Sequence, residues 1–194
     1  MSLAQIPPFH PRFVKPEIYF WKAEEIPFGF LSNFFPLNNS CSLFKSVEHY
    51  YQASKFDDQE YQIEILNTSS PYKAKLLGNQ EIGLGFQAPW RIELNEIIKK
   101  AQKRGIYLRS DWEYIKINMM LSAIREKFNK DVRLKGLLLG TGHARLIENS
   151  PYDSFWGIGK DGKGKNQLGL LLMQVREEIR RTTIAIITTE STKV

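Results

Sequence analysis

Apolar residues along this chain recur mostly at intervals of three and four, the period of a helix with one buried face, and alternate only briefly. The segment "VEHYYQASKF" (47–56) follows Ser46, a good helix-capping hydroxyl, and carries Glu48 in its first turn, where a carboxylate suits the positive helix end. Shorter helices are predicted over 58–66 and, after a Ser-Ser-Pro start signal, over 71–77 with a stop near Gly78. The stretch 79–92 reads as loop, and "ELNEIIKKAQKR" (93–104) as an amphipathic helix. The strongest pattern is "DWEYIKINMMLSAIREKF" (111–128), where Ile115, Met119, Ile124 and Phe128 keep close to a helical period, and a short helix follows at 131–139. "TGHARLIENS" (141–150) reads as extended and "NQLGLLLMQVREEIR" (166–180) as a closing helix.

The ends read differently. Proline-rich residues 1–17 are expected to follow the surface without regular structure, and no structure is assigned to the β-branched, polar tail 181–194. Residues 18–37 are dense in aromatics and broken by Pro27, Gly29 and Pro36, which predicts short strands and turns whose rings pack in a core. Ser32 and Asn33 are the polar exceptions among them. The fold class expected is mainly α, a single compact domain over 18–180 with minor short β elements, and no internal repeat is present.

With 194 residues, 42% hydrophobic and 25% charged, the chain is long enough for one real core and matches neither a disordered nor a membrane composition. No apolar run approaches the roughly 18 residues of a membrane span. Cys41 is the single cysteine, read as a small buried thiol rather than a partner of His49, and with no signal-like start this points to the cytoplasm. His10, His49 and His143 lie far apart and give no metal spacing, so neither a metal nor an organic cofactor is expected. The net charge of +6 favours an anionic partner. Its lysines and arginines sit in no recognisable nucleic-acid module, and a phosphorylated small molecule needs only a few of them.

"WGIGKDGKGKNQLG" (156–169) fits two phosphate signatures, yet neither context holds. A P-loop needs an apolar strand before it and a Ser or Thr where Asn166 stands, and the dinucleotide fingerprint needs alternating βαβ units and a parallel sheet that cannot be drawn from this chain. A loop leading into a helix start, with Lys163 and Lys165 beside it, can still offer amides and amines to an anion, or be only a lysine-bearing turn. Asp153 and Trp156, just ahead of it, favour the first: a carboxylate and a flat ring suit a base-bearing sugar. On the predicted helix after Ser46, Glu48, Gln52 and Lys55 fall at i, i+4 and i+7, which places a carboxylate, an amide and an amine along one face.

The motifs "FGFLSNFFP", "FKSVEHYYQASKF", "SPYKAKLLG", "DWEYIKINMMLSAIREKF" and "LLLGTGHARLIENSPYDSFWGIGKDGKGKNQLGLLLMQVR", in this order over about 18–180, resemble the YbiA-like family, also called NADAR. Asn79 stands where an arginine often follows the "LG" of that pattern. The resemblance implies a helical domain that cleaves N-glycosidic bonds without a cofactor. One branch hydrolyses early riboflavin-pathway intermediates, 5-amino-6-(5-phosphoribosylamino)uracil and its pyrimidine precursor, releasing ribose 5-phosphate; another removes ADP-ribose from guanine bases of nucleic acid. It also implies the site positions Glu48, Trp112, Asp153 and Trp156. The chemistry of these types agrees: a carboxylate stabilises the positive charge that grows on a ribosyl carbon and aims a water, and a second acid assists the leaving nitrogen. Glu48 and Asp153 are the two candidates, with their roles open between them, and Trp112 and Trp156 are candidate stacking partners for the base. Lys55 pairs with Glu48, holds phosphate, or attacks the opened sugar as a desolvated amine. Asn33 and Asn166 are expected at sugar hydroxyls, and Lys163 and Lys165 at phosphate. A module that binds ADP-ribose or a related nucleotide without turnover is the alternative from another class.

Overall fold

The computed structural model describes residues 16–37, 42–83 and 88–191, so Cys41 and nearly all of the N-terminal arm lie outside the described residues. Among these residues are seven α-helices, two short strands and one turn of 3-10 helix (Gly29–Leu31): β1 (Glu17–Phe20), α1 (Val47–Ala53), α2 (Gln59–Asn67), α3 (Pro71–Gly78), α4 (Pro89–Lys103), α5 (Trp112–Lys130), α6 (Val132–Gly140), β2 (Arg145–Glu148) and α7 (Gln167–Ser191). The mainly α expectation holds. The chain divides into two compact units, one of residues 36–123 and one of residues up to 35 together with 124 onward.

In the unit 36–123, capping residues set the helix starts. Ser46, Asp58 and Ser70 each turn a side-chain oxygen to a backbone amide of the first turn, of His49, Tyr61 and Lys73 respectively, and Pro71 occupies the first helical position where its missing N–H costs nothing. The helices close over Phe56, Tyr61, Ile65, Ala74, Leu77, Leu94 and Ile98. The Tyr61 hydroxyl, buried with them, donates to the Leu77 carbonyl at 2.8 Å. Two expected boundaries change. The helix after Ser46 stops at Ala53 instead of Phe56: Ser54 caps it, its amide and hydroxyl both on the Tyr50 carbonyl, and the next amides, of Lys55 and Phe56, bond three residues back. The loop expected to run to 92 ends earlier, since Pro89 opens α4 four residues ahead of the predicted start.

In the other unit, β1 and β2 pair in parallel, with Ile18 opposite Leu146 and Phe20 opposite Glu148. This corrects the expectation that no parallel pairing can be drawn: the strands come from opposite ends of the chain, outside any local βαβ unit. Gly169 lets α7 lie against β2, since a β-carbon there would meet the Leu146 carbonyl oxygen at 2.1 Å. Ile18, Phe20, Phe30, Leu31, Phe35, Phe128, Leu138, Leu146 and Leu172 are all buried, so Phe20, Phe30 and Phe35 of the aromatic stretch are core residues, with Phe30 edge-on to Phe128, whereas Tyr19 is exposed and Trp21, Phe28 and Phe34 are partly buried. α5 runs through the division: its buried Trp112, Met120 and Ala123 belong to the unit 36–123 and its buried Ile124, Lys127 and Phe128 to this one, while the predicted Ile115 and Met119 are only partly buried. α7 runs past position 180 to Ser191, and the Thr182 and Thr183 hydroxyls bond the carbonyls four residues back within it.

Candidate functional site

The candidate chemistry falls in both units, with Glu48, Lys55 and Trp112 in one and Asn33, Asp153, Trp156, Lys163, Lys165 and Asn166 in the other.

Glu48 lies in the first turn of α1 and is 6% exposed. Its Oε1 accepts a hydrogen bond from Gln52 Nε2 at 2.7 Å, one helical turn on, as the i, i+4 spacing predicts. Gln52 in turn lies on Gly78 of α3, where a β-carbon would come within 2.1 Å of its Oε1, so the glycine is what lets the amide reach the carboxylate. Lys55 sits beyond the end of α1, half-buried, and its Nζ donates to Asn79 Oδ1 at 2.7 Å while standing 5.8 Å from the centre of the Tyr51 ring. Burial brings the Lys55 amine down to about 8, against the pull of Glu48, which favours its charge, and with a smaller push from Lys75. An amine in this state is still mostly protonated at neutral pH, yet it offers a far larger free-base fraction than an ordinary lysine to a reaction that needs a base or nucleophile. Trp112 is 4% exposed and packs at 5.0 Å against Tyr51, so it is a core residue of its unit as well as a candidate base contact.

His49 is not available for chemistry. Buried at 1% exposure, it is held by Ser46 Oγ at Nδ1 and by the Thr68 carbonyl at Nε2, and burial lowers its pKa, keeping the ring neutral.

In the second unit the glycine-rich loop uses its own amides. Those of Ile158, Gly159, Gly164 and Lys165 donate to the carbonyls of Glu148, Asp153, Ile158 and Ser154. At the start of α7, the amides of Asn166, Gln167 and Leu168 donate to Gly157, Phe155 and Trp156. The expected cradle of free amides at that helix start is therefore corrected: loop carbonyls already accept from the amides of Asn166, Gln167 and Leu168. The glycines serve this packing. A β-carbon at Gly164 would lie 2.4 Å from the Gly157 carbonyl oxygen, and Gly159 and Gly162 adopt φ of 67° and 71°, which favours glycine.

Asp153 closes the approach to this loop, its Oδ1 accepting from the amides of Phe155 at 2.9 Å and Trp156 at 2.7 Å. Trp156 stands edge-on to Phe155, and Lys165 Nζ lies 5.2 Å from the Phe155 ring centre. Lys163 and Lys165 are exposed. Asn166 differs from expectation. It is 4% exposed, with Nδ2 donating to the Leu146 carbonyl and Oδ1 accepting from the Glu148 amide, so both ends of its side chain tie the loop to β2. Asn33 follows Ser32, whose carbonyl accepts from Lys127 Nζ at 2.9 Å.

Lys127 is the feature that sequence reasoning missed. It is 2% exposed, flanked by the rings of Phe35 and Phe128, and burial alone brings its amine to about 7. The signal was present: position 127 follows Ala123 by one helical turn and adjoins Phe128 on the apolar stripe of α5. Among the described residues no group of His, Cys, Asp and Glu side chains is placed to hold a metal ion, and no helix is long and apolar enough to cross a membrane.

Comparison with known proteins extends this picture. The model of the NADAR domain matches residues 19–180, through both units. N-glycosidase YbiA of Escherichia coli (strain K12) is 36% identical over 154 residues, covering 78% of this chain and 82% of that protein. An N-glycosidase of Nostoc punctiforme is 37% identical, covering 84% of this chain and 92% of its own. A riboflavin biosynthesis protein of Vibrio vulnificus is 38% identical across 84% of this chain, which spans only 38% of that longer protein. The NMR structure of E. coli YbiA matches with a TM-score of 0.65 at 34% identity and covers 86% of each chain. The ordered motifs, the helical fold and these matches together show that the chain belongs to the NADAR domain family.

Proposed function

We propose that the protein is an N-glycosidase that hydrolyses the ribosyl C–N bond of 5-amino-6-(5-phosphoribosylamino)uracil and of its pyrimidine precursor. Water adds its oxygen to the anomeric carbon, the C–N bond breaks, a proton passes to the leaving nitrogen, and ribose 5-phosphate and the free amine are released. The observation that carries the reaction class is the buried Glu48 carboxylate fixed by Gln52. A carboxylate withdrawn from water and held by a neutral donor stabilises a developing oxocarbenium ion more strongly than an exposed one. The substrate is supported by likeness to relatives named N-glycosidase and riboflavin biosynthesis protein. Glu48 is accordingly the stabilising carboxylate and water-aiming base. For the glycine loop the proposal is narrower: Trp156 offers a ring to the base, Lys163 and Lys165 offer amines to phosphate, and Asp153 holds the turn that presents them.

The test is incubation of the purified protein with the ribosylaminouracil phosphate, and separately with nucleic acid ADP-ribosylated on guanine, following products by mass spectrometry. Ribose 5-phosphate from the first supports the proposal. Free ADP-ribose from the second alone moves the substrate to modified nucleic acid, and tight binding with no product from either replaces the enzyme by a binding module.

A further inference from the structure

The C-terminal turn of α3 meets the candidate chemistry of its own unit at two consecutive positions. Gly78 makes room for the amide that holds Glu48, and Asn79 holds Lys55. Asn79 is itself fixed. It caps α3, its N–H directed to the carbonyls of Lys75 and Leu77, and the next residue, Gln80, is anchored through its side chain to the Ile106 carbonyl at 2.8 Å. The Asn79 side chain therefore starts from a fixed backbone and meets the amine at 2.7 Å.

Resting on the N-glycosidase reading, we propose that Asn79 is a positioning residue for Lys55: its uncharged amide oxygen fixes the amine in the field of Glu48 without adding the negative charge that would lock a proton onto it. The surrounding charges agree with that division of labour. Glu48 on α1 favours the ammonium and Lys75 on α3 opposes it. Arg109, whose amide bonds the Lys55 carbonyl, turns its guanidinium to Asp57 and Asp111. Burial then sets the balance, leaving the amine at about 8. An aspartate at this position would keep the acceptor oxygen and add a full charge, which raises a neighbouring amine by about 1–3 pKa units. A lysine so paired is protonated at neutral pH and can neither take a proton nor attack a carbon.

Asn79→Asp and Asn79→Ala separate this role from a merely structural bond. Labelling of Lys55 by acetic anhydride across pH, read on its peptide by mass spectrometry, reports the amine without turnover. The midpoint of Asn79→Asp is expected to rise by about one unit or more. In cleavage of the ribosylaminouracil phosphate, kcat of Asn79→Asp is expected to fall about tenfold near neutrality and recover as pH rises, with KM within about threefold. Asn79→Ala, which loses the acceptor, is expected to lose kcat without alkaline recovery. An unmoved labelling midpoint in Asn79→Asp, or wild-type kcat in either variant, overturns the proposal. If the unmodified protein cleaves neither substrate, the N-glycosidase reading fails by itself, while the labelling arm still decides whether Asn79 sets the state of Lys55.

Discussion

Asp153 shows how one carboxylate serves geometry and charge at once. Its Oδ1 accepts two backbone amides, of Phe155 and Trp156, so the side chain is the clasp of the turn that carries Trp156. Asparagine keeps an acceptor oxygen at the same reach; alanine does not. Asp153→Ala is expected to lower stability by about 1–2 kcal/mol in urea unfolding, because two part-buried amides lose their acceptor, while Asp153→Asn stays within about 0.5 kcal/mol. Equal losses in both would show that the charge, not the hydrogen bonds, maintains the turn. If Asp153 acts only through this turn, Asp153→Asn also keeps most of the activity, whereas loss in both variants makes its charge part of the reaction.

Between elements, the tightest constraint on the proposed chemistry is the approach of α1 to α3. A β-carbon at Gly78 would meet Gln52 Oε1 at 2.1 Å and Gln52 Cβ at 2.6 Å, and because Cβ is set by the backbone, the helices themselves must move apart to admit it. Gly78→Ala is expected to cost about 1–3 kcal/mol and to release Glu48, lowering kcat, whereas Gly136→Ala in α6, with nothing within 4 Å, should gain about 0.5–1 kcal/mol from helix propensity. Thermal melting of the two variants checks this, and a harmless Gly78→Ala contradicts it. The helix starts after Ser46 and the Ser-Ser-Pro signal were legible in the sequence because Ser46 and Ser70 act locally, each on an amide of the following turn; Asp58 and Asp131 cap the two helices predicted from 58 and 131 in the same way. The same locality made the Glu48–Gln52 contact readable. What was not legible depended on partners distant in the chain. Nothing near Asn166 announces that Leu146 and Glu148 will take its amide, and nothing in "GIGKDGKGKN" tells that its amides will be used by Glu148, Asp153 and Ser154. Lys55 was read on the face of α1 and lies past its end, where the backbone tightens into bonds three residues back.

For the molecule as a whole, buried amines tie stability to pH. Lys127 is brought to about 7, well below its ordinary value near 10.4, so the unfolded chain holds a proton there that the folded one releases. Its burial penalty is fully present below about pH 7 and is relieved as pH rises toward about 10.4, so stability increases across that window, with Lys55 adding the same sign from about 8. The carboxylates held low by their arginines, Asp111, Glu177 and Glu178, titrate in acid and leave this window unaffected. Lys127→Met is therefore expected to flatten the rise in unfolding free energy between about pH 7 and about pH 9.5, an effect on the order of a few kcal/mol; an unchanged slope places the origin elsewhere. The central claim, that this protein breaks a ribosyl C–N bond with Glu48, is tested most directly by one comparison. The intact protein and Glu48→Gln, which keeps shape and removes charge, are incubated with the ribosylaminouracil phosphate, and ribose 5-phosphate is followed by mass spectrometry. Release by the intact protein is expected, with a loss of at least about 10²-fold in a folded Glu48→Gln variant. Equal release by both contradicts the role of Glu48, and no release by the intact protein contradicts the assigned substrate.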